Sequence, residues 1–161
     1  MRTSSSRRAR MLAAAGAIAI ASGALAGGAG AASTPRAGSK WSATLKGQKY
    51  ESGTASFSVV KQGRKLYTKG RATLHTACFA LEAGQSLRVG PTRTLSFSGP
   101  VSGGTFVAKK GTTDDLLHWQ ISGSFAKGKL VVAYAEETEG PPRISCGFNE
   151  TASGKLKAKR G

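Results

Sequence analysis

Apolar and polar residues alternate with a period of two over one short stretch of this chain after another. Ala55, Phe57 and Val59 are interleaved with Thr54, Ser56 and Ser58, the pattern of a strand with one face buried. Lys61-Gln62-Gly63-Arg64 then forms a turn, with Gly63 free to adopt positive φ. Ala72, Leu74, Thr76 and Cys78 share one strand face, and Arg71, Thr73, His75 and Ala77 the other. Leu87 and Val89 alternate, Gly90-Pro91 punctuates, and Leu95 with Phe97 repeats the period. Phe106 and Ala108 follow Gly103-Gly104, and Leu117, Trp119 and Ile121 follow Gly111 to Asp115. Ala126-Lys127-Gly128-Lys129 is another tight turn, opening a strand from Leu130 to Ala135. Short strands are expected around Trp41 to Leu45, Arg143 to Phe148 and Lys155 to Lys159. No long window carries apolar residues at helical spacing, and Ala80 to Gly84 has room for one helical turn at most.

The pattern therefore predicts an all-β domain over residues 40–161. It would be a single antiparallel β-sandwich, or a flattened barrel, of about eight to ten strands separated by Gly- and Pro-marked turns. Phe57, Phe97, Phe106, Trp119 and Phe125 are the expected core, all but Phe125 on the apolar phase. Trp41 is set apart from them, beside Lys40 near the start of the domain.

The first residues do not share this pattern. Arg2, Arg7, Arg8 and Arg10 precede an uncharged Ala-, Ile-, Leu- and Gly-rich run over positions 11–26, with small residues at Ala24-Leu25-Ala26 and Ala29-Gly30-Ala31. A basic start, a short apolar run and a small-residue site make a secretory signal peptide. The run is shorter than the roughly 20 apolar residues that span a membrane. Residues 1–32 are read as signal and cleavage region, cut near 26–32, and 33–39 as a flexible lead-in. The expectation is a secreted, extracellular protein whose mature chain has no transmembrane segment.

Charge and composition sharpen this picture. The 161 residues carry 24 Lys and Arg against 8 Asp and Glu, a formal net charge of +16. Removing the four leader arginines leaves +12. From Lys40 onward Val, Ile, Leu and Phe make up about a fifth of the chain, at the edge where charged sequences fail to fold. Cys78 and Cys146 are the only cysteines. An even count in an exported chain implies a disulfide, expected here to join two sheets. Closing a loop of that length stabilises by about 4 kcal/mol in the chain-entropy model.

Several short runs also carry a resemblance. Ser56 to Val59 (Ser-Phe-Ser-Val) precedes a Gly-containing turn, and a strand leads into Cys78. Gly104-Thr105-Phe106, Ile121-Ser122-Gly123-Ser124-Phe125 and Gly128-Lys129-Leu130 follow before Cys146. From about Ser52 to Arg160 the chain resembles a widespread group of uncharacterised secreted actinobacterial proteins, small β domains with a single disulfide. The resemblance implies that fold and implies no activity.

Candidate chemistry is sparse. There is no Gly-x-Ser-x-Gly elbow, and His75 and His118 fall on polar strand phases. A hydrolase would need them to meet across a sheet near Asp114 or Asp115. Asp114 and Asp115 fall in a turn, where Asp often binds backbone amides, and Glu136, Glu137 and Glu139 read as a solvated loop. Asn149-Glu150-Thr151 matches a glycosylation sequon. No catalytic residue, metal ligand or cofactor is assigned, and the chain is not read as an enzyme. The leading reading is a secreted binding or structural module of unknown partner. The alternatives are a nonspecific binder of polyanions (cell-wall polymers, nucleic acid or anionic membrane surface) and a secreted hydrolase of unfamiliar type. The polyanion reading rests on lysine-bearing turns and tail: Lys61, Arg64 and Lys65; Lys109 and Lys110; Lys127 and Lys129; and Lys155, Lys157 and Lys159 on one expected strand. The competing role for these charges is to solubilise the domain and protect a strand edge.

Overall fold

The computed structural model describes residues 34–80, 88–112, 114–139, 143–148 and 151–159. The expected signal region 1–32 lies outside them, as do Leu87, residues 81–84 and Asn149 of the sequon. Among the described residues ten strands make up the fold and no helix occurs. They are β1 (Lys40–Lys46), β2 (Ser52–Gln62), β3 (Lys65–Ala80), β4 (Arg88–Ser102), β5 (Thr105–Lys110), β6 (Leu117–Ser124), β7 (Lys129–Glu137), β8 (Ile144–Gly147), β9 (Ala152–Lys155) and β10 (Lys157–Lys159).

All ten belong to one antiparallel sheet that closes into a ring rather than two sheets facing each other. β1 to β7 pair each with the next, and β9 closes the ring by pairing with both β7 and β1. Closure removes the open edges of the eight ring strands, while β10, paired only with β1, keeps one edge open. β8 bridges β3 and β7, and β10 pairs with β1. The ring has two ends. The lower carries the β2–β3, β4–β5 and β6–β7 turns, with Gly63 and Gly128 at φ 58° and 57°. The upper carries the β1–β2 and β5–β6 connections and β8.

With eight strands in the ring, side chains fill the interior. Phe57, Phe97, Phe106 and Phe125 cluster in its lower part, ring centroids 5.1–6.2 Å apart. Phe125 lies just beyond β6, and its turn folds the ring back into the core. Trp41 belongs to this cluster, contrary to its separate treatment in the sequence. It sits on the inward phase of β1, packs edge-on against Phe125 at 5.0 Å, and donates Nε1–H to Ser39 Oγ at 3.0 Å. Gly70 faces Phe57, where a Cβ would collide with that side chain. Residues 34–39 make a turn held to β2 by Gly38 N to Val59 O and Val59 N to Ser39 O.

Four local expectations need correction. β4 runs straight through Gly90-Pro91, because both residues oppose the single residue Thr76 between the pairs His75–Thr92 and Ala77–Val89. Such a bulge is one of the few places where a strand tolerates proline, and Thr76 Oγ1 donates to the Pro91 carbonyl at 2.9 Å. The same irregularity turns Ala77 inward and leaves Val89 71% exposed. Leu117 is exposed as well, at the start of β6. Cys78 and Cys146 do form a disulfide, but as register partners on the neighbouring strands β3 and β8 of one sheet. Finally, Lys155 to Lys159 is not one strand: Leu156 turns into the core between β9 and β10.

Candidate functional site

The strand pairings sort the charges by height along the ring. The lower half carries Arg36, Lys40, Lys61, Arg64, Lys65, Lys69, Arg71, Lys127, Lys129, Lys155, Lys157 and Lys159. None of the described carboxylates is there. Glu51, Asp114, Asp115, Glu136, Glu137 and Glu139 are all at the upper end, with Lys46, Lys49, Arg88, Arg93 and Arg143, while Lys109 and Lys110 sit between the two ends. Among the described residues one end is strongly cationic and the other close to neutral. Of the lysine turns singled out in the sequence, those at Lys61 to Lys65 and Lys127 to Lys129 meet the tail strands at the lower end. Lys109 and Lys110, the last residues of β5, lie about halfway up the ring, away from the tail strands.

The pairings also bring in cations that turn-by-turn reading missed. Lys40 stands directly opposite Lys159, and Lys129 opposite Lys155. Like charges facing each other across strands are destabilising. From β10 across to β4, one outward row reads Lys159, Lys40, Ser58, Lys69, Ser98, and the next reads Lys157, Ser42, Ser56, Arg71, Ser96. Shallow depressions open between these side chains: one lined by Lys40, Trp41, Ser56, Phe57, Ser58, Lys69 and Lys159, another by Lys69, Gly70, Arg71, Ser96, Phe97 and Ser98. The sequence did contain the signal. Lys40, Lys69 and Arg71 fall on the outward phase of their strands, but only the register shows that they are neighbours.

At the upper end four of these acids are engaged with the fold. Glu136 is not in a solvated loop. It points inward from β7 and takes a bidentate pair from Arg93 of β4, Nε to Oε2 at 2.7 Å and Nη2 to Oε1 at 2.9 Å. Tyr134 donates its hydroxyl to Glu136 Oε2 at 2.8 Å. The Arg93 hydrogen bonds hold the Glu136 carboxyl below its ordinary value, with help from Tyr134 and against partial burial. Burial, reinforced by Glu136, pushes the Tyr134 phenol up to about 12. Glu137 pairs with Arg143 at 3.0 Å. Asp115 Oδ2 accepts the Thr112 amide at 2.6 Å, the turn role expected of it. The buried Glu51 accepts the Gln48 amide at 2.8 Å in the β1–β2 turn.

The two histidines have separate partners, His75 with Thr92 Oγ1 at 3.0 Å and His118 with the Asp115 carbonyl at 3.1 Å. They lie on β3 and β6, with β4 and β5 between them in the sheet. A recess beside the disulfide, lined by Glu51, Phe79, Tyr134 and Cys146, measures about 110 Å³, well under the 300 Å³ or more typical of small-molecule sites. No helix is long and apolar enough to cross a membrane among the described residues. Comparison with family models, curated proteins and solved structures finds no match.

Proposed function

We propose that the protein is an exported binding module that engages an anionic polymer through the lower half of its ring. The observation that carries this reading is the segregation of charge: twelve cations share that half with none of the described carboxylates. Charges serving solubility alone are best interspersed with the opposite sign. A one-signed surface instead concentrates counter-ions and steers polyanions toward it. The disulfide and the absence of a membrane-spanning helix among the described residues are consistent with an extracellular location.

Salt dependence tests the proposal. On duplex DNA each neutralised phosphate contributes about −0.9 to the slope of log affinity against log salt. Wild type should be retained on an immobilised anionic polymer at about 50 mM salt and released steeply as salt rises. Changing Lys155, Lys157 and Lys159 to Gln should move elution to lower salt. Wild type passing straight through at low salt would refute polyanion binding, and co-elution of the two proteins would remove the tail strands from the binding surface.

A further inference from the structure

We infer that the outer face of β10, β1, β2 and β3 is a discrete subsite for a flexible, phosphodiester-linked polyol chain, centred on Lys40, Lys69 and Lys159. The inference rests on the polyanion reading and goes further, because it chooses one surface within the cationic half and one class of polymer. Lys159 and Lys40 are direct cross-strand partners, and the row continues through Ser58 to Lys69. Two strand steps, about 10 Å, separate Lys40 from Lys69, and the hydroxyl of Ser58 stands between them. Ser56 and Arg71 repeat the pattern one row up. None of these lysines or Arg71 is ion-paired with a carboxylate among the described residues. An anion lying across the row would relieve the Lys40–Lys159 repulsion.

The chemistry of the face selects the polymer. These two rows consist of Lys, Arg and Ser; Trp41 and Phe57 line the first depression from the inward phase and Tyr67 stands alone one row below on β3, so the face lacks the succession of aromatic platforms that holds single-stranded nucleic acid. Insertion into a membrane interface requires exposed apolar side chains. Among the described residues the exposed large apolar side chains are Tyr50, Val89, Val107, Leu116 and Leu117, all off this face. Cations alternating with hydroxyls suit a chain that alternates phosphates with polyol hydroxyls: ammonium and guanidinium groups donate to phosphate oxygens, and serines both donate and accept. The turn lysines then contribute field, and the face contributes recognition.

The test compares two variants that each remove three charges, K40Q/K69Q/K159Q on the face and K61Q/R64Q/K127Q at the turns. Binding to immobilised poly(glycerol phosphate), to duplex DNA and to single-stranded DNA is measured over a salt series. The face variant should lose about tenfold or more in affinity for poly(glycerol phosphate) and flatten its salt slope, while the turn variant loses less than about threefold. The face variant should also melt at or slightly above wild type, since a like-charge pair has been removed. Equal losses in both variants would overturn the subsite while leaving general polyanion binding standing. Binding of either DNA that matched poly(glycerol phosphate) and depended on the same three lysines would overturn the polyol assignment. Failure of wild type to bind any of the three polymers at low salt would sink both proposals.

Discussion

Replacing both cysteines by alanine should lower stability by about 4 kcal/mol. Cys78 and Cys146 are 68 residues apart in sequence. Opening a loop of that size returns about 15 cal/mol/K of conformational entropy to the unfolded chain, which is about 4 kcal/mol at 25 °C. The structure indicates where the loss acts. The two residues are register partners, and β8 is held by backbone pairs to β3 on one side and β7 on the other. The native strand therefore keeps its ladders, and the effect falls mainly on the unfolded ensemble. A domain of about 120 residues unfolds with an entropy near 0.25 kcal/mol/K, so the melting temperature should drop by about 15 °C. Urea denaturation of the oxidised wild type and the double variant should show a lower midpoint. It should also show a larger m-value, because the uncrosslinked chain exposes more surface on unfolding. A loss under about 1 kcal/mol with an unchanged m-value would refute the loop-entropy reasoning, since the closed loop would then constrain little.

Three further outcomes can be measured. The folded Glu136 carboxyl lies below its ordinary value of 4.5, so its contribution to stability is full above that value and is lost as pH falls through the folded one. Glu136→Gln should flatten the acid limb of a melting-temperature profile; an unchanged limb would assign it to other groups. The Tyr134 phenol, raised from 10.0 to about 12, places the opposite limb on the alkaline side: stability present below pH 10 declines between those values. Tyr134→Phe should remove that decline, and alkaline titration followed by phenolate absorbance would locate the group directly. At Gly123 an added methyl would strike the ring edge of the buried Phe106, which is pinned by Phe57, Phe97 and Phe125. Gly123→Ala should cost about 1–3 kcal/mol by overpacking, and a variant as stable as wild type would show that the aromatic cluster can shift.

Much of the strand content was legible in the chain because a half-buried strand must alternate, so Phe57, Leu74, Phe97, Phe106, Ile121 and Val132 announce their inward faces without reference to any neighbour. The turns at Gly63 and Gly128 were legible for the same local reason, since each needs positive φ. The even pair of cysteines, in a chain whose first residues read as an export signal, was enough to imply their bond.

Alternation is blind to what lies beside a strand, and the features missed are those that depend on it. Whether the sheet closes depends on β9 reaching both β7 and β1, a pairing between segments far apart in sequence. Gly90-Pro91 reads as a break in sequence, yet β3 absorbs it as a bulge through Thr76. Trp41 looks marginal along the chain because its partial burial comes from meeting Phe125 at the lower end of the ring. Charge shows the division most clearly. The sequence determines how many lysines there are and that they face solvent. Only the register sets Lys159 beside Lys40 and sends the described acids to the other end, because electrostatic neighbours are defined across strands about 5 Å apart, not along them.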